Sequence, residues 1–213
     1  MKKLIITYAK NKKCAAQLEN GKLIDLDILY GEEVSFLGNI YVGRVENVVS
    51  NINAAFVEIK KGVKCFFSLT DNPKPIFLNH KQNEKVCIGD LLLVRVIRDP
   101  IKLKMAVCDS SIAVSGKYVV VNDKGEIGVS NKITDEDKKK HLVSILSPLK
   151  KENLGFIVRT CAKDVTDELV INEANRLIEL VNRIKSIARY RTAYTCLYND
   201  NDMSILKNYK IDE

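Results

Sequence analysis

The sequence predicts an α+β protein that contains a small five-stranded β-barrel. Two observations favour this fold class. Five short segments rich in β-branched residues lie between residues 38 and 110, separated by turns that contain glycine, asparagine or proline. After residue 112 the pattern changes, and short strand-like runs alternate with two segments of helical periodicity. We therefore expect a barrel followed by a mixed region of strands and helices.

The composition is that of an ordinary globular protein with a basic surface. The chain has 213 residues, 46% of them hydrophobic and 29% charged, so it can bury a core and is not predicted to be disordered. Its 34 Lys and Arg against 27 Asp and Glu suit a polyanionic partner. No apolar run approaches the roughly 20 residues of a membrane span, and polar Thr7 ends the first apolar run too early for a signal peptide. We expect a cytoplasmic protein.

The N-terminal segment predicts two or three strands, over residues 3–8, 13–19 and 22–29. The Asn20-Gly21 pair is the typical sequence of a tight hairpin between the last two. These strands come before the barrel segments, so they form a separate hairpin-like element in the prediction.

Asp25 and Asp27 are two residues apart in the third of these segments, so they share one face of the predicted strand. Two carboxylates on one face could hold a divalent metal ion. A solvated strand face is the favoured interpretation, because no third acidic ligand lies nearby.

The predicted barrel strands are 42–49, 54–59, 63–69, 89–98 and 102–110. Short turns connect the first three, and a proline-containing loop precedes the fourth. Five short strands without a long helix fit an oligonucleotide-binding (OB) barrel. Another small β-barrel with structural phenylalanines is the alternative that composition leaves open.

Two aromatic residues, Phe56 and Phe66, lie on strands joined by the turn Lys60-Lys61-Gly62. Aromatic rings on a basic barrel stack on bases, while ammonium groups meet phosphates. The pair therefore predicts a surface for unpaired nucleic acid.

Beyond residue 116, strands are predicted at 118–121, 127–129, 154–160 and 194–198. Thr134 and Asp135 begin a helix that ends near Pro148, and residues 164–167 cap a second helix that reaches about Tyr190. The apolar stripe of the second helix is Leu169, Ala174, Leu177, Ile178, Val181, Ile184 and Ala188. No cap or turn closes the end of the sequence, so we expect the natural protein to continue past Glu213.

The six cysteines are scattered singly, without a Cys-x-x-Cys pair, and only two histidines accompany them. This spacing does not predict a structural zinc site. We expect reduced, mostly buried cysteines that act as small apolar residues.

With these segments placed, the chain resembles the N-terminal half of the ribonuclease E/G family of bacterial endoribonucleases. The matching strings keep the order and spacing of the family. They are LIDLDIL (23–29), GNIYVGRVENV (38–48), AAFVEI (54–59), GVSNKI (128–133) and GFIVRT (155–160).

The resemblance implies a domain order. Residues 1–35 would belong to an RNase-H-like segment, 36–112 to an inserted OB barrel of the ribosomal-protein S-one type, and 113–191 to a 5′-sensor region. Residues 192–213 would begin the return to the RNase-H-like domain.

The resemblance also implies the RNA-binding residues of the barrel. The stacking aromatics fall on Phe56 and Phe66, and a basic contact falls on Lys104. The family usually has a lysine where this chain has Val42, and Arg44 is the expected substitute.

The 5′-phosphate site of the family falls on Arg159 and Thr160, with Gly116 and Val120 lining it through the main chain. A guanidinium presents a planar fork to a terminal phosphate, and a threonine adds a hydroxyl donor. Seen alone, Arg159 would be interpreted as a surface salt-bridge residue. The family often has a basic residue where this chain has Asn131, next to Lys132.

The catalytic chemistry of the family is expected elsewhere. Two Asp carboxylates hold Mg²⁺ in a DNase-I-like subdomain, and a zinc-binding cysteine motif joins protomers into a homo-oligomer; both are expected past Glu213. We assign no catalytic residue, and we expect this chain alone to be inactive although the family consists of enzymes.

The leading hypothesis is therefore the RNA-binding and 5′-monophosphate-sensing part of an endoribonuclease that acts on single-stranded RNA in rRNA and mRNA processing and decay. The alternative is a non-catalytic, single-stranded RNA-binding adaptor of OB type. A third hypothesis is a translation-associated OB protein without end sensing.

Overall fold

A computed structural model describes residues 2–9, 12–29, 35–80, 83–151 and 153–200. They fall into two compact units, one holding the N-terminal strands and the other spanning Phe36–Asp200. The fold class is α+β, as predicted from the sequence.

The first unit contains an antiparallel sheet of strands β1 (Lys2–Ala9), β2 (Lys12–Glu19) and β3 (Lys22–Leu29) in that order. Asn20 and Gly21 adopt φ angles of 52° and 79°, so the β2–β3 hairpin closes through two left-handed residues, as Asn-Gly predicts. The three predicted strands are confirmed. Asp25 is exposed, and the side chain of Asp27 lies outside the described part of the chain.

The second unit begins with a closed five-stranded barrel. Its strands are β4 (Ile40–Val49), β5 (Ala54–Lys60), β6 (Val63–Ser68), β7 (Leu91–Arg98) and β8 (Ala106–Asp109). The strand order is β4-β5-β6-β8-β7, and pairing of β4 with β7 closes the barrel. Only β6 and β8 are parallel among these pairs, which makes this a mixed barrel of OB type, as predicted.

Strand β4 closes the barrel because it pairs with two neighbours at once. Arg44 is opposite both Glu58 of β5 and Leu91 of β7, and a bulge follows between Val45 and Asn47. Gly43 lies at the tightest point, where a Cβ atom would collide with the side chains of Val57 and Val94.

The prediction of the fifth barrel strand is wrong at its start. Residues 101–105 form a separate turn, here called the tip hairpin, in which Ile101 and Lys104 exchange two main-chain hydrogen bonds of 3.0 and 2.9 Å. Lys102 takes a left-handed φ of 52° there, which ends the extended conformation. Strand β8 therefore starts only at Ala106.

A second sheet follows, with strands β9 (Ala113–Ser115), β10 (Val119–Asn122), β11 (Ile127–Val129) and β12 (Gly155–Val158) in the order β11-β12-β10-β9. The sequence did not predict β9. Helices α1 (Glu136–Leu146) and α2 (Asp167–Ala188) pack against this sheet.

The start of α2 differs from the prediction. The helix begins at Asp167 after Thr166, and Val170, not Leu169, is the buried residue of its first turn. The rest of the predicted stripe is buried. Neither helix in the described part of the chain combines the length and the apolar run that crossing a bilayer requires.

Strand β13 (Cys196–Tyr198) returns to the barrel and pairs antiparallel with the start of β4. The Tyr198 hydroxyl donates to Asp200 Oδ1 at 2.9 Å, and the Asp200 main-chain N–H donates to Asn39 Oδ1 at 2.8 Å. Burial raises the pKa of Tyr198. Burial also raises the pKa of Tyr41, to about 12.

The expectation of mostly buried cysteines is wrong. Cys65 and Cys108 lie in the barrel core, but Cys87, Cys161 and Cys196 are exposed. A hydrogen bond with Cys65, together with burial, raises the pKa of the Cys108 thiol. None of the six cysteines forms a disulfide.

Candidate nucleic-acid interface

Phe56 and Phe66 form a cross-strand pair on the outside of the barrel. Their neighbours Val57 and Phe67 point into the core, and strand alternation therefore turns the pair outward. The two rings meet edge to face, with centroids 6.3 Å apart and an angle of 73° between their planes. Both side chains are half-buried, so each presents ring surface to solvent.

Phe66 opens onto a groove of about 890 Å³ between the barrel and the tip hairpin, here called the barrel groove. Lys104 lines the same groove, so the structure brings Phe56, Phe66 and Lys104 to one surface. The other lining residues are Arg98, Asp99, Ile101, Lys102, Leu103, Met105 and Val107.

The walls of the barrel groove are apolar and its rim is cationic. Leu103 is fully exposed, at 101% of its reference surface, and Ile101 and Met105 are exposed as well. Arg98 and Lys102 add two positive charges to that of Lys104. Apolar walls with cations at the rim suit unpaired bases whose phosphates lie in solvent.

Asp99 is the acidic residue of the groove, and one of its oxygens is engaged by the main chain. Its Oδ1 accepts a hydrogen bond of 2.7 Å from the Phe36 N–H. This bond holds one carboxylate oxygen at the base of the tip hairpin. The three cations then outnumber the single acid among the lining residues.

Apart from Lys104, which the resemblance to a family implied, the sequence did not point to the tip hairpin as part of the candidate interface. Ile101, Leu103 and Met105 alternate with lysines, which is also the pattern of a half-buried strand. The alternation of lysines with apolar residues was the one signal in the sequence that could have indicated this part of the candidate interface.

Arg44 lies on the outer face of the barrel but not among the residues of the groove. Its Nε is 3.8 Å from Glu46 Oε1, and it is opposite Glu58 in the β4–β5 pairing. A hydrogen bond of 2.7 Å from the Gly62 N–H, and a further one with Tyr194, lower the pKa of Glu58. Arg44 thus faces two acidic groups, and its contact with RNA stays a prediction. Val42 is fully buried.

The second sheet has one face covered by helices and one face open. Val119, Val121, Phe156 and Val158 are fully buried on the helix side. On the other side, Val120 is opposite Ile157, which is 47% exposed. Ile157 is a residue of this face that sequence analysis missed.

Arg159 and Thr160 follow directly at the end of β12. The Arg159 Nη1 group donates a hydrogen bond of 2.6 Å to the main-chain carbonyl of Gly116, which leaves Nη2 and Nε to bind an anion. The Thr160 hydroxyl lies 3.1 Å from the Ser130 hydroxyl. The structure therefore brings Arg159, Thr160 and Gly116 together. Val120 lies on the neighbouring strand β10, and we name these four residues the end pocket after the phosphate site that the resemblance implied.

Further polar groups surround the end pocket. Cys161 donates through its thiol to the carbonyl of Lys117 at 2.6 Å. The Lys117 ammonium lies 5.6 Å from the centre of the Tyr118 ring. Asn131 and Lys132 are exposed directly after Ser130, so a cation does follow the Ser130 hydroxyl along the chain.

No three His, Cys, Asp or Glu side chains among the described residues come together in a way that could hold a metal ion. Asp25 uses one carboxylate oxygen to accept a hydrogen bond of 2.9 Å from the Leu26 N–H. The side chains described here do not form a fitting magnesium site.

Comparisons with known proteins find similarity to one family. The profile of the Ribonuclease E/G family matches residues 113–209. A Ribonuclease E/G-like protein of Pyropia yezoensis is 30% identical over 172 residues, which cover 78% of this chain and 34% of that protein.

Two bacterial proteins are similar over a comparable span. Ribonuclease G of Salmonella typhimurium is 28% identical over 182 residues, covering 80% of this chain and 37% of that protein. Ribonuclease E of Synechocystis is 26% identical over 201 residues, covering 92% of this chain and 30% of that protein. The chain spans about a third of the length of these relatives.

Proposed function

This chain belongs to the ribonuclease E/G family, and from this membership we propose that it binds single-stranded RNA and recognises its 5′-monophosphate end. The barrel groove would hold unpaired nucleotides, and the end pocket would receive the terminal phosphate. The whole protein would be an endoribonuclease of rRNA and mRNA processing and decay, to which this chain contributes binding and not cleavage.

The observation that carries the proposal is the outward Phe56–Phe66 pair at the edge of a cation-rimmed apolar groove. Each stacked base can contribute about 1–3 kcal/mol whatever its identity, because every base has a π-face. Lys102 and Lys104 lie within the same groove and supply the charge that a phosphate backbone needs. Binding on this surface would therefore require unpaired bases and tolerate many sequences.

Recognition of the RNA end would depend on the two groups of Arg159 that Gly116 leaves available. A terminal phosphate dianion can accept from both Nη2 and Nε, and the Thr160 hydroxyl can add a third donor. A 5′-hydroxyl end leaves these donors without an anionic acceptor. Because a charge-assisted hydrogen bond contributes about 1.5–3 kcal/mol, losing one of them weakens binding by about tenfold or more.

The family implies Mg²⁺ for hydrolysis by the whole protein. Because the described residues do not form a fitting site, no hydrolytic step is assigned to them. Positioning of the RNA is the contribution that we assign to this chain.

We also propose a cytoplasmic location. Six cysteines without a disulfide, with Cys87 and Cys161 exposed, suit a reducing compartment.

The test compares one short unstructured RNA with three 5′ ends: monophosphate, hydroxyl and triphosphate. Fluorescence anisotropy gives the dissociation constant of each for the wild type and for Arg159→Ala. We expect the wild type to prefer the monophosphate about tenfold or more, and the variant to bind all three ends alike. Arg183→Ala is the matched control, because Arg183 is an exposed arginine on α2.

A preference that survives in Arg159→Ala would contradict the role of that guanidinium. A wild type that binds the monophosphate and hydroxyl ends equally would contradict end recognition itself, and would favour an OB-type RNA-binding protein without it.

A further inference from the structure

The side chain of Glu173 makes an unusual set of contacts on the inner side of α2. Its Oε1 accepts a hydrogen bond of 2.8 Å from the Lys117 N–H, and its Oε2 accepts bonds of 2.6 and 2.9 Å from the N–H groups of Tyr118 and Val119. Three consecutive main-chain donors thus converge on one carboxylate.

Glu173 lies in an otherwise apolar part of the helix. It is only 9% exposed, and Val170, Ala174 and Leu177 beside it are buried. A carboxylate in such a place is costly unless its lone pairs are filled, and the three N–H groups fill them. Arg176, whose Nη2 is 4.0 Å away, is 70% exposed and does not replace these bonds. Packing alone would favour an apolar residue here.

The carbonyl groups of the same short segment point to the end pocket. The Gly116 carbonyl accepts from the Arg159 guanidinium at 2.6 Å, and the Tyr118 carbonyl accepts from the Arg159 N–H at 2.8 Å. The Lys117 carbonyl accepts from the Cys161 thiol. The N–H side of residues 117–119 therefore faces Glu173, while the carbonyl side of residues 116–118 faces Arg159 and Cys161.

Gly116 is part of the same arrangement. A Cβ atom at this position would overlap the Glu173 carboxylate, so only glycine allows the close approach. The Gly116 N–H closes the segment by donating to the Val119 carbonyl at 2.7 Å.

We propose that Glu173 is a positioning residue of the end pocket. By holding three N–H groups, it fixes the orientation of the carbonyl groups opposite them, and the Gly116 carbonyl then fixes the Arg159 guanidinium. It also occupies three main-chain donors that could otherwise bind an anion, the N–H groups of Lys117, Tyr118 and Val119. This inference rests on the proposed function of the pocket.

The test is Glu173→Gln, which keeps the size of the side chain but replaces one acceptor oxygen by an NH₂ donor that faces N–H groups. We expect the ratio of affinities for 5′-monophosphate and 5′-hydroxyl RNA to fall about tenfold, while affinity for the hydroxyl RNA stays the same. Glu179→Gln, at an exposed glutamate on the same helix, is the matched control.

A purely structural role would affect both RNAs alike, because they differ only at the 5′ end. A folded Glu173→Gln protein with an unchanged ratio would therefore overturn the inference. If the wild type has no preference, the proposed function fails instead, whereas a wild-type preference kept in Glu173→Gln contradicts only the role of Glu173.

Thermal unfolding shows whether the variant is folded. If Glu173→Gln does not fold, Gly116→Ala is the second test. The added Cβ atom would overlap the Glu173 carboxylate and so displace it from the N–H groups of residues 117–119. We expect the same loss of ratio in Gly116→Ala, and a ratio equal to that of the wild type would overturn the inference.

Discussion

The Phe66 ring meets the Phe56 ring edge to face across β5 and β6, at a centroid distance of 6.3 Å. The two rings support one another from neighbouring strands while both retain exposed surface. A pair of this kind is held in place before a ligand arrives, so little rotational freedom is lost on binding.

Replacement of Phe56 or Phe66 by Ala should weaken binding of unpaired RNA about 5- to 150-fold, which corresponds to a loss of about 1–3 kcal/mol for each stacked base. The loss should be similar for uridine-rich, adenine-rich and mixed RNAs, as measured by fluorescence anisotropy. Tyr190→Ala is the control, because Tyr190 is an aromatic residue that follows α2 and is 87% exposed. A lower melting temperature with unchanged affinity would instead identify the phenylalanines as core residues.

Leu103→Asp should weaken RNA binding about fivefold or more without destabilising the fold. The side chain is fully exposed, so the substitution removes no core contact. A carboxylate about 4 Å from a phosphate costs about 1 kcal/mol even in bulk water. Ile88→Asp is the control, since Ile88 is 67% exposed and does not line the groove. Equal affinities for the two variants would show that RNA does not approach the tip hairpin.

Lys102→Gln and Lys104→Gln should change the salt dependence of binding. The slope of log K against log salt is negative, and each lysine that contacts a phosphate of a single strand contributes about 0.7 to its magnitude. Removal of one such lysine should reduce the magnitude of the slope by about 0.7. The measurement is a series of dissociation constants over a range of salt concentrations. Lys140→Gln should leave the slope unchanged, because this lysine is an exposed residue of α1. Slopes that match the wild type would place these lysines outside the RNA contact.

The stability that the first turn of α1 contributes should depend on pH. Asp135 caps this helix through Oδ1, which accepts from the N–H groups of Lys138 and Asp137 at 3.0 Å each. The bond from Lys138 is the larger cause that lowers the pKa of Asp135, and the charges of Lys163 and Lys138 add to it. The stability that the cap contributes is therefore fully present above the unfolded pKa of about 4, and is lost as the pH falls through the lower folded value.

We expect Asp135→Ala to melt a few degrees below the wild type at neutral pH, with the difference shrinking toward about pH 2. Calorimetry at several pH values measures this difference. Asp164→Ala, at an exposed aspartate outside both helices, should show little difference at any pH. If the melting temperature of the wild type exceeds that of Asp135→Ala by the same amount down to the lowest pH, Asp135 does not act as a charged cap.

Local patterns predicted most of the fold. Asn20-Gly21 fixed the position of one hairpin, and the acidic residues after Thr134 marked the start of α1, because turn and cap geometries depend on a few adjacent residues. The start of the last barrel strand was harder to predict, since alternating apolar residues and lysines at 101–105 fit an extended strand as well as an exposed hairpin.

The candidate interface was predictable only in part. Phe56 and Phe66 stood out through composition and spacing, whereas Arg159 gained a role only through resemblance to a family. Its bond to Gly116 joins residues 43 positions apart, and that of Glu173 to Tyr118 joins residues 55 apart. Such contacts depend on tertiary packing, which no local pattern encodes. The pairing of β13 with β4 was missed for the same reason.

The hydrogen bond between the Asp200 N–H and Asn39 Oδ1 joins residues 161 positions apart and brings the two ends of the Phe36–Asp200 unit together. Gly38 adopts a φ of 79°, and a Cβ atom there would lie 2.9 Å from the Asp200 Cβ. A unit whose entry and exit points are neighbours can be transplanted between two adjacent positions of a host loop without stretching either junction. The Phe36–Asp200 unit is therefore suited to expression on its own or to insertion into a loop of an unrelated protein.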